Sequence, residues 1–337
     1  MATFKQIRGQ TIKKYTTNPT NPLEGQMWYN NTTGTLKVYT LGTAAWASGT
    51  NYPTPINALK GAGGSNTAAF AVGGELGPPT NATVDTTNTY DGSTWTGAPT
   101  VPSTTRNAFV YGTQTAGLWS GGLTSPGGTY TNASAEFDGS TWTGSPTVPT
   151  SRGFGASSGT QTSALSTAGD QLGVVWATGK AVDSYNGSTW TSETAYPTSA
   201  YGVTGCGASE TTAFVAGGEV PYPGGNPSVA TYDGSAWTLT ATPLNTLLPA
   251  GTQQLAPAGP STDALAFGGS GGQTATASWN GTAWASQPSM ATGRTAGGAG
   301  TAASALALAG GRPGAPRDNQ TEYFTGEAVE IQTVTTS

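Results

Sequence analysis

Carboxylates are the side chains of this sequence that could support acid–base chemistry. The 337 residues hold 17 Asp and Glu, no His and one Cys. The commonest general base and metal ligand is therefore missing, and a single thiol builds neither a disulfide framework nor a thiolate metal cluster within one chain. No metal or cofactor is expected. Two carboxylates on either side of a glycosidic bond would suffice for glycan cleavage, so the composition leaves that reaction open.

Several of these carboxylates recur at one position of a repeat. Asp91, Asp138 and Asp233 each follow an aromatic residue and are followed by Gly and Ser. A Trp comes four residues after each Asp. An Asp at a repeated Asp-Gly position is explained by turn formation. We therefore predict that the protein is not an enzyme. The less favoured alternative is a glycan-cleaving enzyme whose acids break the repeat pattern, such as Asp170 or Glu193.

The repeat has a period of 47 or 48 residues and three markers. The first is the hairpin just described, which has Asn in place of Asp in two copies. The second is an apolar run that ends in Gly-Gly, and its third copy is read as VVWATG, ending at Gly179. The third is an arginine early in some repeats, which we expect to hydrogen-bond loops between repeats; these are Arg106, Arg152 and Arg294. Each repeat reads as four short strands, and Asp-Gly between β-forming residues predicts a type I′ hairpin turn.

Four strands in about 47 residues, repeated radially, describe a β-propeller blade. The Gly-Gly, the aromatic before the turn and the Trp after it resemble the kelch motif over residues 55–333. This resemblance implies an all-β, kelch-like β-propeller with six complete repeats. Three strand-like pieces in residues 23–50, namely 27–30, 36–40 and 44–47, favour a short seventh blade. The alternative is a ring of six blades with the N-terminal hairpin as a lid or stalk.

The repeated tryptophans are expected to fill the gaps between neighbouring blades. They are Trp46, Trp95, Trp142, Trp190, Trp237 and Trp284, and Val329 stands where a further one would fall. Cys206, between two glycines, is expected to be a buried strand residue. Aromatic residues outside the pattern are candidates for surface contact with a sugar or a protein, with packing as the alternative. These candidates are Trp119 and Trp176, read as equivalent second-strand positions, and the loop residues Tyr196, Tyr201 and Tyr222.

Charge is distributed unevenly along the chain. Residues 1–60 hold six basic residues and one acid, and residues 61–337 hold six basic and sixteen acidic residues. We predict a basic attachment arm over residues 1–22, with Lys5, Arg8, Lys13 and Lys14; the alternative is a solvated strand packed on its own propeller. The arm has no interleaved aromatics, which argues against nucleic-acid binding. No apolar run is long enough for membrane insertion, and the N-terminus has no secretory h-region.

Residues 25–30, GQMWYN, and 33–38, TGTLKV, are similar to a module at the front of virion structural proteins of marine tailed phages. The similarity covers about residues 1–50. It implies a non-enzymatic protein on the virion exterior, on the tail or the head. The arm would dock on other virion proteins or on copies of the chain, and the propeller at residues 23–337 would act in decoration or tail-fibre-like contact with a host-surface glycan. The alternative from another class is a free-standing lectin-like glycan-binding propeller.

Overall fold

The computed structural model describes residues 12–124, 128–171, 179–219, 229–240, 253–312 and 317–334. These residues form thirty strands and no helix. The strands make seven four-stranded sheets and one two-stranded sheet. The chain divides into two compact units, one of Met1–Ala44 with Gly326–Ser337 and the other of Ala45–Thr325.

The smaller unit is one sheet whose strands come from both ends of the chain. In sheet order its strands are β1 (Lys13–Tyr15), β2 (Met27–Asn30), β3 (Thr35–Leu41) and β30 (Val329–Thr333). β1 pairs with β2 in parallel, and the other pairs are antiparallel. The Asn18 side chain accepts hydrogen bonds from Trp28 Nε1 at 3.2 Å and from Asn30 Nδ2 at 3.0 Å. The predicted boundary at residue 22 is therefore wrong, because β1 and the chain around Asn18 belong to the same sheet as β2.

The larger unit is a ring of six four-stranded blades, built from the inner strand outward in each blade. The first four blades are β6 (Lys60–Ser65), β7 (Ala68–Val72), β9 (Thr87–Tyr90) and β10 (Trp95–Ala98); β11 (Phe109–Thr113), β12 (Ala116–Ser120), β13 (Ser134–Phe137) and β14 (Trp142–Ser145); β15 (Ala156–Thr160), β16 (Ser163–Thr167), β17 (Val182–Tyr185) and β18 (Trp190–Ser192); and β19 (Thr204–Ser209), β20 (Thr212–Ala216), β21 (Val229–Tyr232) and β22 (Trp237–Leu239).

The last two blades and a small additional pair complete this unit. They are β23 (Ala256–Ala258), β24 (Ala264–Phe267), β25 (Thr276–Trp279) and β26 (Trp284–Gln287); β27 (Thr295–Thr301), β28 (Ser304–Gly311), β29 (Asp318–Thr325) and β4 (Ala45–Ser48); and the pair β5 (Ile56–Asn57) with β8 (Glu75–Leu76). Each inner strand contacts the inner strand of the next blade, and β27 of the last blade contacts β6 of the first. The ring is therefore closed.

A strand from the N-terminal side completes the sixth blade. β29 pairs with β4, which places Trp46 opposite Phe324 in the same way that Trp95 lies opposite Tyr90 in the first blade. The sixth repeat has Val329 at the tryptophan position, and β30 belongs to the small sheet, so the outer strand of this blade comes from β4. The favoured seventh blade is wrong, and the ring has six blades. The piece around Trp46 is an outer strand, and β2 and β3 form the small unit.

Side-chain oxygens organise the turns between the third and fourth strands. In the first blade, Asp91 Oδ1 accepts hydrogen bonds from the Ser93 and Thr94 N–H groups at 2.8 and 2.7 Å. These bonds hold the pKa of the Asp91 carboxyl well below its usual value. The hairpins are confirmed, but the type I′ turn is wrong. The connection has four residues and only Gly92 has a positive φ, because the Asp side chain satisfies the loop N–H groups.

The glycine pairs mark where each second strand ends and where the next blade is attached. Gly73 and Gly74 have φ of 65° and 113°, and the Gly74 N–H donates to Thr105 O of the second blade at 2.7 Å. In the third blade the same place is taken by Ala168 and Gly169, at the end of β16. The interpretation of VVWATG as the third second strand is therefore wrong, and the position equivalent to Trp119 is Ser166.

The repeated tryptophans stack on the aromatic residue opposite them and reach the preceding blade. Trp142 stacks on Phe137 with ring centroids 4.9 Å apart, and its Nε1 donates to Pro99 O at 3.0 Å. Trp237 lies 4.9 Å from Tyr232, and its Nε1 donates to Thr194 O at 3.1 Å. The same ring pairing joins Trp46 to Phe324, Trp95 to Tyr90, Trp190 to Tyr185 and Trp284 to Trp279. Each ring thus supplies bulk that the small neighbouring residues lack.

Two of the three repeat arginines are buried in ion pairs within their own blade. Arg152 is paired with Asp183, and Arg294 Nη1 donates to Glu322 Oε1 at 2.6 Å. Arg106 instead pairs with Glu75 of the preceding blade. The expectation of loop contacts between blades therefore holds for the Arg106 side chain and is wrong for the other two. Their carboxylate partners lie on the third strand of the same blade, which places each ion pair inside it.

Candidate functional site

One face of the propeller carries the long connections between strands. In the second blade, the β11–β12 and β13–β14 connections are short, with two and four residues. The other two connections are long: residues 121–133 join β12 to β13, and residues 146–155 lead to the third blade. Alternate connections of an antiparallel sheet lie at opposite ends of its strands. The long connections therefore share one face, which we call the mouth face. Functional residues concentrate on long loops held by a rigid scaffold, so this face is the candidate site.

Five residues at the start of the inner strands outline the channel at the mouth face. They are Ala58, Asn107, Phe154, Gly202 and Gln254, one from each of the first five blades, and all have φ between 50° and 63°. The N–H of each donates to the carbonyl of the preceding one at 2.7 to 2.9 Å, beginning with Asn107 N–H to Ala58 O. Left-handed backbone at non-glycine residues is kept only where the surrounding structure holds it. This chain of hydrogen bonds makes the mouth a preformed rim.

Acidic residues follow the glycine pairs in three blades, just outside this rim. They are Glu75, Asp170 and Glu219, and each bridges to the residue that precedes a rim residue: Asn57, Gly153 and Tyr201, respectively. In the second blade the same position is Leu123, which bridges Arg106. Topology thus gathers at one face several carboxylates that are far apart in sequence.

Each of these carboxylates has a defined hydrogen-bond partner. Asp170 Oδ2 accepts from Tyr130 Oη at 2.7 Å, and Glu219 Oε2 accepts from Tyr201 Oη. Burial, together with the bond to Asp170, raises the pKa of Tyr130 above its usual value, so this phenol stays a donor at neutral pH. Glu75 pairs with Arg106 and with Arg317 Nη2, the latter at 2.8 Å. These pairs present fixed polar groups, a property of binding surfaces.

Small residues make up much of the channel lining, which also contains Lys60, Tyr111 and Leu255. Among its lining residues are glycines and alanines from the inner strands of the blades, around a cavity of about 120 Å3. A second cavity, of about 210 Å3, opens at the mouth, and Lys60 lines both. The Lys60 residue as a whole is partly exposed. Burial of its ammonium lowers the pKa of that group to about 8. Lys60 was not among the candidates from sequence. The signal that marks it is a charged residue at the start of an inner strand, where the next four blades have the uncharged residues Phe109, Ala156, Thr204 and Ala256.

The aromatic candidates for surface contact are placed in different environments. Trp119 is fully buried with Phe70 and Val72 between the first two blades, and Tyr196 is buried edge-on to Trp237 at 5.0 Å. Neither belongs to a contact surface, because neighbouring blades cover both rings. Tyr201 is partly exposed and lies at the mouth face. Trp176 and Tyr222 lie outside the described residues.

The attachment residues fall on the small unit. Lys13 and Lys14 are exposed on β1, and Lys5 and Arg8 lie outside the described residues. In the described part of the chain, no group of three or more His, Cys, Asp and Glu is arranged to hold a metal ion. No described helix has the length and apolarity to cross a membrane.

The buried Cys206 thiol is expected to resist modification. Cys206 lies on β19, lines the channel, and burial raises its pKa to about 12. The thiolate is the reactive form, and at pH 8 it would be on the order of 10⁻⁴ of the total, against roughly a quarter for a free thiol. We expect a disulfide reagent to react with native protein at least ~100-fold more slowly than with protein unfolded in guanidinium. Equal rates before and after unfolding would contradict this burial.

Comparisons with known proteins identify the fold. No protein-family model matches the chain, and no curated protein matches it either. Among 179 matching chains of solved structures is that of YjhT, with a TM-score of 0.66 and 14% identity, over 84% of this chain and 99% of that chain. YjhT is a β-propeller. The closed ring of six blades and this similarity show that the chain is an all-β protein built around a β-propeller.

Proposed function

We propose that this protein is a non-enzymatic structural protein of a tailed-phage virion, which attaches through its small N-terminal unit and displays the propeller for host-surface contact or decoration. The observation that carries the proposal is the division of the chain into two units. The residues that resemble the phage module, 25–30 and 33–38, lie in the small unit, from just before β2 through the β2–β3 connection to β3. The resemblance thus coincides with a compact structural module.

The small unit suits attachment because it presents two neighbouring cations on an edge strand of its sheet. Lys13 and Lys14 are exposed side by side on β1, and the neighbouring strand β2 is buried through Trp28 and Asn30. A rigid sheet that carries exposed cations favours a complementary acidic surface. Other virion proteins, or further copies of this chain, are the partners that we propose for it.

The propeller suits display on the outside of a particle. Its closed ring leaves few strand edges on which other chains could pair. Only 9% of the residues of the chain are charged, so its contacts depend little on screening by salt. The mouth face offers tyrosines, carboxylates and amides, which suit a host-surface glycan.

The acids of the enzymatic alternative are engaged in the structure, which supports a non-enzymatic role. Asp170 accepts the Tyr130 hydroxyl at the mouth face. Glu193 lies on the outer side of the third blade, after β18, where its Oε1 accepts Ser184 Oγ at 2.7 Å. The two acids therefore belong to different parts of their blade, and each is bound to a neutral donor.

The test is gold labelling of particles purified from a lysate of the source, with an antibody against the propeller. Label on the tail or its fibres would support host contact, and the same antibody should then block infection. Label over the head would support decoration. Label on no particle, with the protein free in the supernatant, would overturn the proposal and favour the free-standing lectin-like propeller.

A charge reversal tests the attachment unit in the same particles. We expect Lys13→Glu with Lys14→Glu to reduce incorporation into particles severalfold, because both ammonium groups are exposed on β1. Lys180→Glu, at an exposed position on the propeller, is the control and should be incorporated normally. Unchanged incorporation of the double variant would contradict attachment through β1.

A further inference from the structure

The mouth cavity contains a cation that has no carboxylate partner. Lys60 lines the cavity, yet its ammonium makes none of the ion pairs that the described residues form. All 17 Asp and Glu residues of the sequence lie within the described ranges, so none of these carboxylates is hidden in the rest of the chain. A charge withdrawn from water without a partner is costly, and an anion supplied from outside would offset that cost.

The neighbouring carboxylate is already engaged by other cations. Glu75 lines the same cavity, but its two oxygens accept from Arg106 and from Arg317. Lys60, Arg106 and Glu75 are the charged residues in the cavity lining and give it a net charge of +1, in a chain whose net charge is −5. The Nε atoms of both arginines are buried without a partner among the described residues. The lining of the cavity therefore favours an anion, whereas Asp170 and Glu219, outside the rim, accept the hydroxyls of Tyr130 and Tyr201.

The remaining polar groups of the cavity can donate hydrogen bonds. Asn57, Asn107 and Gln254 line the cavity with Lys60 and bring side-chain amides from three blades. The hydrogen-bonded rim holds Asn107 and Gln254 in place through their backbone. Amides and an ammonium that line one cavity are suited to an oxyanion, because each oxygen can accept more than one hydrogen bond.

The size of the cavity limits the ligand. Its volume is about 210 Å3, below the roughly 300 Å3 at which pockets for drug-sized molecules begin. We propose that the channel mouth is a binding site for a small oxyanion, a carboxylate or sulfate group of a free ion or an acidic sugar, held by Lys60 and the surrounding amides. This site does not depend on the proposed virion function, because it rests on the propeller alone.

The experiment is calorimetric titration of the full-length protein at pH 7 with sodium sulfate, sodium glucuronate and glucose, at constant ionic strength set with sodium chloride. We expect sulfate or glucuronate to bind and glucose not to bind. Lys60→Met should weaken the binding at least tenfold, since a charge-assisted hydrogen bond contributes this much or more. Lys180→Met removes an exposed lysine of the same propeller and should leave the binding unchanged.

Anion binding at this site is expected to weaken as the pH rises. The Lys60 pKa of about 8 means that the ammonium loses its proton as the pH rises through 8, so binding should weaken between pH 7 and pH 9.5. The other charged groups at the mouth are Glu75, which pairs with Arg106 and Arg317, and Asp170 and Glu219, which accept the hydroxyls of Tyr130 and Tyr201. Binding that is equally strong in Lys60→Met, or absent with both anions, would overturn the proposal.

A second measurement keeps the test decisive if Lys60→Met does not fold. In protein whose lysines carry ¹³C-methyl groups, the Lys60 signal, assigned with Lys60→Arg, should titrate near pH 8 without added anion. Saturating sulfate should move this titration to higher pH, because a bound anion favours the ammonium form. The proposal would be overturned if saturating sulfate left the midpoint of the Lys60 titration unchanged, as it should leave the midpoints of the other lysines.

Discussion

Replacing Trp46 by Ala is expected to lower the free energy of unfolding of the propeller by about 2–3 kcal/mol, less than the loss of a large aromatic residue that is fully buried, because the indole is partly exposed. The indole lies 4.9 Å from Phe267 and 5.3 Å from Phe324, and its Nε1 donates to Thr276 Oγ1 at 3.0 Å. It therefore anchors β4 on the fifth and sixth blades. Urea denaturation followed by tryptophan fluorescence would measure the loss.

Trp142→Ala is the matched control, because Trp142 occupies the same position of the second blade. Its strand is joined to β13 by residues 138–141 alone, whereas β4 reaches β29 only through the whole ring. Pairing across a long connection costs more conformational entropy than pairing across a short loop. We therefore expect amide exchange to rise along β29, at residues 322–325, in Trp46→Ala. The matching residues of β13 should stay protected in Trp142→Ala. Equal exchange in the two variants would contradict the role of Trp46 in holding β4 on the sixth blade.

Glu322→Gln is expected to destabilise the propeller by about 3–5 kcal/mol, the usual cost of removing one partner of a buried ion pair. Glu322 is 2% exposed, and Arg294 is fully buried. Besides Arg294, the Glu322 carboxylate accepts the Ala291 N–H at 2.7 Å. The amide keeps the shape of the side chain but leaves the guanidinium without a counter-charge. Thermal and urea unfolding of the variant would measure the effect.

Two further variants show whether the charge is responsible. Glu327→Gln makes the same substitution at an exposed position and should change stability by no more than about 0.5 kcal/mol. Arg294→Met combined with Glu322→Leu removes both charges, and we expect it to be more stable than Glu322→Gln alone. A double variant less stable than Glu322→Gln would show that the hydrogen bonds of the pair, and not its charge balance, hold the blade together.

Residues close together in the repeat made the blade predictable. The aromatic residue, the Asp-Gly or Asn-Gly turn and the Trp lie within six residues of each other, and the structure pairs them as neighbours across one hairpin, as at Tyr90 and Trp95. The turn type was wrong, since the Asp side chain provides hydrogen bonds that replace the expected left-handed pair. The third blade was misread because Ala168 adopts the left-handed conformation that Gly has elsewhere.

The candidate site was harder to predict than the blade. Tyr201 lies at the mouth face, whereas Trp119 and Tyr196 are buried. A single aromatic residue outside the pattern does not reveal whether neighbouring blades cover it. Lys60, Asn107 and Gln254 come together because each starts an inner strand. Their sequence positions are about 50 to 200 residues apart, and no local pattern relates them.

The sequence by itself determined the all-β class, the four-stranded blade of about 47 residues and the aromatic pairs that fill it, because those features arise from short-range spacing and turn chemistry. Only the tertiary structure decided the number of blades, the partner of the sixth repeat and the composition of the channel mouth. Each of these depends on pairing between distant segments, such as Trp46 with Phe324. The energy of such pairing lies in contacts that form only when the ring closes.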